Sequence, residues 1–388
     1  MKVLFINSVA GIGSTGRIAA DQCRTLMAQG HHCVLAYGRD KANCDDIPTR
    51  CIGTALDYKL HGAVTRLLDR HGFASWGATR KFLDWASEFD PDVLWLHNIH
   101  GYYLNIELLF RWIKARPQMK VKWTLHDCWA FTGHCAYFDF AGCRKWETGC
   151  HQCPQKHAYP ASMGLDSSKR NFVKKRALFS GVQDLTLITP SQWLADLLSR
   201  SFLKEYPVEV VYNTINTDIF KPTESDFRQE KGLENKKIIL GVASIWEKRK
   251  GLQDLLALAG MVEENWHIVL VGTVPGLQDL KIPENVLLIP RTNSPRELAA
   301  IYTAADVLVN PTYEDNYPTV NLEALACGTP VITYHTGGSP ESLDETCGAV
   351  VERDPAALWA AVKNANFKKA ACLQRSMHLN AGKQITLS

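Results

Sequence analysis

The chain has 388 residues, 46% of them hydrophobic and 21% charged, and a formal net charge of +3. A composition this near the globular average excludes a disordered chain, a coiled coil and a collagen-like fibre, and so small a charge makes no case for nucleic acid. Single hydrophobic cores seldom grow past about 250–300 residues, so two domains are expected.

The first apolar run, Val3-Leu4-Phe5-Ile6, is too short for the core of a signal peptide, and no stretch approaches the ~20 apolar residues of a membrane-spanning helix. A cytoplasmic protein is expected. Lys2–Ser8 reads as a strand, Gly11–Gly16 as a Gly-rich loop and Arg17–Gln29 as a helix, with Ile18, Cys23, Leu26 and Met27 at helical spacing. Further strands are expected over Cys33–Tyr37, Val93–Leu96, Lys120–Leu125 and Leu185–Thr189. Asn216–Glu234, with Pro222 and several charges, breaks the periodicity. The pattern then restarts with strand Lys236–Val242, helix Leu252–Val262, strand His267–Val271 and helix Glu297–Ala304. Strand Asp306–Asn310, helix Val320–Ala326 and strand Pro330–Thr333 follow, and Ala370–Ser388 is only weakly periodic. Apolar strands alternating with helices predict parallel sheets covered on both faces. The expected fold class is therefore α/β, with two Rossmann-like domains, 1–215 and 216–388, facing each other across a cleft. Ligands of such sheets bind beyond the carboxyl ends of the strands.

Four segments there carry chemistry. After Asn310 comes Glu314-Asp315-Asn316-Tyr317, then a helix bearing Val320 and Glu323. Its carboxylates can hold sugar hydroxyls, and its helix N-terminus offers N–H groups to an anion. The basic loop Glu247-Lys248-Arg249-Lys250-Gly251 supplies cations of the kind two phosphates need as charge builds on a leaving diphosphate. His126, at a strand end, can donate to a sugar hydroxyl. Gly11–Gly16 matches G-x-G-x-x-G, which keeps an NAD(P)-dependent oxidoreductase as an alternative. The tip of the second strand, Tyr37-Gly38-Arg39, lacks the acid that reading needs.

The chain has 12 cysteines, and clustered thiols in a reducing compartment point to metal or catalysis. Cys135, Cys143, Cys150 and Cys153 end in a C-x-x-C, one half of a zinc knuckle. Punctuated by Gly142 and Gly149, this segment is expected to lack a core of its own. A structural zinc on these four is expected, with Cys128, His134 and His151 as substitutes for one ligand. An iron–sulfur cluster and free or transiently oxidised thiols stay open. Four thiolates leave no open position, so no catalysis is expected from the metal. Lys169–Phe179 reads as a basic amphipathic helix, with Lys169, Arg170 and Lys174 suited either to an anionic membrane surface or to solvent.

Asn310–Val331 resembles the donor-binding signature of family 4 glycosyltransferases, retaining enzymes of the GT-B fold. That family carries two acids separated by seven residues. Asp315 and Glu323 have the spacing, while Glu314 matches the usual first glutamate chemically, so either can take the first role. The resemblance implies that the first acid touches the transferred sugar and that Glu323 holds the ribose hydroxyls. Asn316, Tyr317 and Val320 belong to the same donor-binding segment. Thr189-Pro190-Ser191, Tyr212–Phe220 (with Thr214 at a customary glycine) and Thr336–Glu341 resemble further family segments. Lys250 before Gly251 matches the family's Lys-Gly; Ile245 stands at the customary arginine, and Arg249 is the candidate substitute. The family has a histidine near the donor sugar, here His126, and a Gly-rich first loop near the donor phosphate, here with Gly13. The Cys-rich insertion, about 128–155, resembles that of bacterial exopolysaccharide enzymes of the colanic-acid type.

The resemblance thus implies an acceptor-side domain over 1–215 and a nucleotide-sugar domain over 216–388. The expected activity is hexosyl transfer from a UDP- or GDP-sugar to a glycan or lipid-linked acceptor, with retention and without a catalytic divalent metal. Peripheral membrane contact is expected, and nucleic acid is not. A non-catalytic nucleotide-sugar-binding protein is the second alternative.

Overall fold

The computed structural model describes residues 1–381 and Leu387. The chain folds as two α/β units that part between Val211 and Tyr212, with Leu387 packed in the core of the first. The division falls before residue 215 because the linker belongs to the second unit. Tyr212 lays its ring against Tyr317, and the Ile215 N–H donates to Asn380 Oδ1.

The first unit holds β1 (Lys2–Asn7), β2 (His32–Tyr37), β3 (Thr49–Cys51), β4 (Val93–Leu96), β5 (Lys120–Thr124), β6 (Leu185–Thr189) and β7 (Val208–Val210). All are parallel, in the order β3-β2-β1-β4-β5-β6-β7. The second unit repeats the plan with β8 (Lys237–Ile245), β9 (Trp266–Thr273), β10 (Val286–Ile289), β11 (Val307–Asn310), β12 (Val331–Tyr334) and β13 (Gly348–Val351). Their order is β10-β9-β8-β11-β12-β13, again parallel.

Period-two alternation explains why the strands read as unbroken apolar runs. In β1, Val3 and Phe5 enter one core while Leu4 and Ile6 enter the core on the opposite face. In β8, Ile238 and Leu240 face one core and Ile239 the other. A strand buried on both faces has no polar side to show. The sequence signals start several helices cleanly. Thr54 and Asp57 form a capping box, and Ser294 caps a helix whose first residue is Pro295.

Two expectations need correction. The segment 128–155 does not lack a core: Phe131, Phe138 and Trp146 are buried in the first unit's main cluster, with rings 4.8 Å apart between Phe138 and Trp146. Its aromatic residues are too irregularly spaced to show a period. The weakly periodic tail contains a helix, Lys369–Asn380, whose buried positions are Cys372, Ser376 and Leu379. Helical spacing is present there, but a serine and a cysteine hide it. The expected basic helix exists as Ser168–Phe179, yet Lys175 on it is wholly buried.

Candidate active site

In each sheet the chain reverses its direction of growth between two central neighbours, β1 and β4 in the first and β8 and β11 in the second. Loops leaving such strands flank the crevice where open α/β sheets bind ligands. Both basic and acidic loops of the second unit leave these strands.

The loop after β8 presents Lys250 and the loop after β11 presents Asp315. Lys250 Nζ lies 2.5 Å from Asp315 Oδ2, with both side chains partly buried. Gly251 makes the approach feasible. It sits at φ +74°, and a Cβ there would stand 2.1 Å from the Pro311 carbonyl oxygen. Arg249 acts as a clamp: its Nη1 donates to the Glu314 carbonyl at 3.2 Å, its Nε donates to Glu247 Oε2, and its own carbonyl accepts from the Tyr313 N–H. Asp315 Oδ1 accepts from the Asn316 N–H. Gly337 closes over this loop, since a Cβ there would meet the Asp315 carbonyl oxygen at 1.8 Å.

The helix Thr319–Ala326 starts without a side-chain cap, which leaves first-turn N–H groups to other partners. Glu323 is buried on it, and its Oε2 accepts from the Tyr302 hydroxyl at 3.0 Å. Val320 is half-buried in the first turn. Glu314 and Asn316 are buried, and Tyr317 is a core residue whose hydroxyl has no hydrogen-bond partner. A network without any local sequence signal seats the helix. Asn310 donates to Asn321 Oδ1, and Asn321 donates to the Ser339 and Ser342 hydroxyls.

His126 and Gly13 belong to the first unit. His126 is buried just after β5, its Nε2 2.9 Å from Nδ1 of His97 with the rings stacked. Its neighbour Asp127 pairs instead with His100, at 3.0 Å, and accepts from the Trp129 N–H. His97 and His100 flank the end of β4, a clustering visible as His97-Asn98-Ile99-His100 once that strand is placed. Gly13 begins the helix Gly13–Ala28 at φ +63°, and a Cβ on it would meet nothing within 4 Å.

Comparison with known proteins decides the family. The glycosyltransferase family 4 model matches residues 15–219, more than half of the chain, and the glycosyl transferases group 1 model matches 236–365. The chain belongs to glycosyltransferase family 4. It is 25% identical over 370 residues to WcaC of Escherichia coli (strain K12), a protein named as a colanic acid biosynthesis glycosyl transferase, covering 91% of this chain and 88% of that one. It is 30% identical over 199 residues to the D-inositol 3-phosphate glycosyltransferase of Corynebacterium jeikeium (strain K411), about half of either chain. Among solved structures it is similar to sucrose-phosphate synthase from Thermosynechococcus elongatus (TM-score 0.69, 19% identity, 98% and 93% coverage). It is also similar to Anabaena HepE in complex with UDP and glucose (TM-score 0.66, 16%, 98% and 97%) and to WaaG, a glycosyltransferase involved in lipopolysaccharide biosynthesis (0.64, 19%, 98% and 95%). The fold is GT-B in its two Rossmann-like units.

A glycosyltransferase reading displaces the oxidoreductase alternative, and the Gly-rich loop has its own explanation. A Cβ on Gly11 would stand 2.3 Å from the Asn43 carbonyl oxygen, so this glycine answers a backbone contact within the fold. The four expected zinc ligands are drawn together only in part. Cys135 and Cys153 share a hydrogen bond that leaves Cys153 the more acidic of the pair, and Cys150 Sγ accepts from the Gly133 N–H at 3.2 Å. Cys143 acts on Cys150, more weakly than Cys153 does. Among the described residues, no group of three or more His, Cys, Asp or Glu side chains is placed to hold a metal ion. No helix among them is long and apolar enough to cross a membrane.

The buried histidines of the glycosyltransferase predict acid sensitivity. Burial pushes His61 and His126 down to about 4 and holds His71 and His97 well below the ordinary value. A histidine with a depressed folded pKa favours folding above its unfolded value and loses that contribution as pH falls towards the folded one. His61 and His126 should each withdraw about 2 kcal/mol at pH 5, given an unfolded value near 6.5. His134 opposes this: burial works against its charge, but Asp69's hydrogen bond and charge outweigh burial and raise its pKa. Thermal denaturation should show a clearly lower midpoint at pH 5 than at pH 7, with the loss reduced in His61→Gln. An unchanged midpoint would mean that these rings protonate freely in the fold.

Proposed function

We propose that this glycosyltransferase moves a sugar from a nucleotide-sugar donor to a glycan or lipid-linked acceptor, with retention of the anomeric configuration. The observation that carries the reading is the Lys250–Asp315 pair where the loops after β8 and β11 meet. An ammonium held by a carboxylate at a switch point is poised to meet diphosphate oxygens, and the N-terminus of Thr319–Ala326 adds uncapped N–H groups nearby in sequence. Glu323, a buried carboxylate on that helix, is assigned the ribose hydroxyls. HepE has been solved with UDP, and the E. coli relative is named for colanic acid biosynthesis; both favour a nucleotide-sugar and a surface polysaccharide here.

In the proposed step the acceptor oxygen forms its bond to the anomeric carbon on the face from which the diphosphate departs. The acceptor proton passes to a leaving phosphate oxygen. The protein's part is positioning and charge stabilisation, with no covalent nucleophile and no divalent cation. His126, neutral at pH 7, is assigned a hydrogen bond to the donor sugar, and the Gly-rich loop with Gly13 is assigned the donor phosphate.

Membrane contact is part of the proposal, on a surface other than the basic helix. Ser168–Phe179 turns Lys175 into the core and pairs Lys174 with Glu107. On the helix Ala55–Leu68, by contrast, Leu56, Leu60 and Leu67 are 65%, 58% and 62% exposed on one face, with Lys59 and Arg66 exposed beside them. The exposed Met163 and Leu165 adjoin this stripe, their N–H groups donating to the Arg66 and Leu67 carbonyls. Apolar residues flanked by cations suit an anionic bilayer surface.

The test is turnover of a panel of UDP-, GDP- and ADP-sugars, with product configuration read by NMR, and sedimentation with anionic or neutral vesicles. Retained configuration with one nucleotide series, and anionic-vesicle binding lost in Leu60→Glu, are expected. Inverted product would remove the mechanism, and binding neither any nucleotide nor any vesicle would remove the reading.

A further inference from the structure

His134 makes a contact whose chemistry points outward from itself. Its Nδ1 is held at 2.5 Å by Asp69 Oδ1, and both side chains are essentially inaccessible. Asp69 is itself fixed, because its Oδ2 accepts from the Ser167 N–H. The other ring nitrogen, Nε2, is buried and has no hydrogen-bond partner. An imidazole whose Nδ1–H is committed to a carboxylate, with Nε2 left bare in the interior, is the arrangement that metal-binding histidines use. Leaving such a nitrogen buried and unpaired is otherwise unfavourable.

Three thiols belong to the same part of the fold: Cys135 follows His134 directly, and Cys150 and Cys153 pack against the core cluster that holds Cys135. Cys153 interacts electrostatically with His134 and shares a hydrogen bond with Cys135, while Cys150 acts on Cys135 and is acted on by Cys153. Two sulfurs on one tetrahedral zinc, at about 2.3 Å each, are roughly 3.8 Å apart, comparable to a thiol–thiol hydrogen bond. The backbone is shaped to bring these groups in. A Cβ on Gly133 would meet the Ser168 carbonyl oxygen at 2.1 Å and Cys150 Cβ at 2.8 Å. The Gly133 N–H already points at Cys150 Sγ.

Charge argues the same way. Lys175 is wholly buried; its ammonium donates to the Trp129 and Thr132 carbonyls and lies 3.3 Å from the Trp129 ring centroid. Among the described residues it has no ion-pair partner, while Cys150 and Cys135 are among its electrostatic neighbours. The Asp127 and Asp69 carboxylates act on it too, without ion-pair contact, and burial still disfavours its charge. Three thiolates on a divalent cation carry a charge of −1, which would offset it.

We propose that His134 Nε2 and the sulfurs of Cys135, Cys150 and Cys153 form a site for one zinc ion, with Asp69 orienting the imidazole and Lys175 as counter-charge. The fourth ligand is then His134 in place of Cys143. The donors are not closed on a common point, so binding must release thiol protons and turn the side chains inward. His151 is exposed and takes no part. The site is structural, because four protein ligands leave no open position. It stands independently of the transfer reaction.

The test uses the full chain purified under reducing conditions. Elemental analysis should give about one zinc per chain, and the cobalt-substituted protein should show thiolate charge transfer of an intensity fitting three sulfurs. Asp69→Asn should weaken zinc binding roughly 10–100-fold, while Cys143→Ser keeps full stoichiometry. The cobalt spectrum of the unmodified chain carries the test if a variant fails to fold. No zinc uptake with all thiols freely titrating overturns the site. A four-sulfur spectrum, or zinc lost in Cys143→Ser and retained in His134→Gln, overturns the ligand assignment.

Discussion

Lys250→Ala is expected to lower kcat by a factor of about 10²–10³, the range seen when one preorganised electrostatic stabiliser is removed from an active site. The ammonium meets charge that grows only as the diphosphate leaves, so its main contribution is to the transition state. Ground-state binding should suffer as well, for a reason specific to this chain. Asp315 Oδ2 sits 2.5 Å from Lys250 Nζ, and removing the lysine leaves a half-shielded carboxylate facing an incoming dianion. The two effects separate in a double variant. Lys250→Ala with Asp315→Asn should recover nucleotide affinity while turnover stays low. A single variant with raised KM and intact kcat would place Lys250 in simple binding and remove the proposed role.

The loops that hold this pair were legible because each is one contiguous segment next to a strand buried on both faces. β1, β8 and β11 announce themselves as apolar runs, and the switch point follows from their order. Elements without that signature were not legible. β3 is exposed at all three residues, and β13 is only partly buried. The helix Ala55–Leu68 buries His61, Gly62 and Thr65 while exposing leucines, which inverts the usual amphipathic pattern.

The same distinction holds at the site. The family resemblance points to Glu314 or Asp315 and to Glu323, and nothing local points to Tyr302, which reaches Glu323 from a helix 21 residues earlier in the chain. The Asn310–Asn321–Ser339 network likewise joins a strand end, a helix and a later turn. Such partners are set by tertiary packing, and a lone tyrosine or asparagine carries no periodic signal. His97 was missed for the same reason, although its hydrogen bond to His126 decides how that ring is oriented. The thiol segment shows the same contrast. Its C-x-x-C is conspicuous in the sequence, whereas the Asp69 that holds His134 lies 65 residues away and has no local signal.

Glu323→Gln should weaken nucleotide binding by roughly tenfold to more than a hundredfold, since hydrogen bonds donated by hydroxyls to a carboxylate are worth about 1.5–3 kcal/mol. Glutamine is the sharper probe than alanine. Glu323 is buried and accepts from the Tyr302 hydroxyl, so alanine would strand that hydroxyl in the core and cost about 1–3 kcal/mol of stability besides. The glutamine amide oxygen can still accept from Tyr302, so the fold should keep its melting midpoint while the charge is lost. Tyr302→Phe provides the complementary measurement. It frees one carboxylate oxygen without removing the charge, and should alter nucleotide affinity far less than Glu323→Gln does. Calorimetric titration with UDP and GDP reads both variants. Unchanged affinity in Glu323→Gln, with the melting midpoint intact, would take the ribose away from Glu323 and leave it as the structural partner of Tyr302.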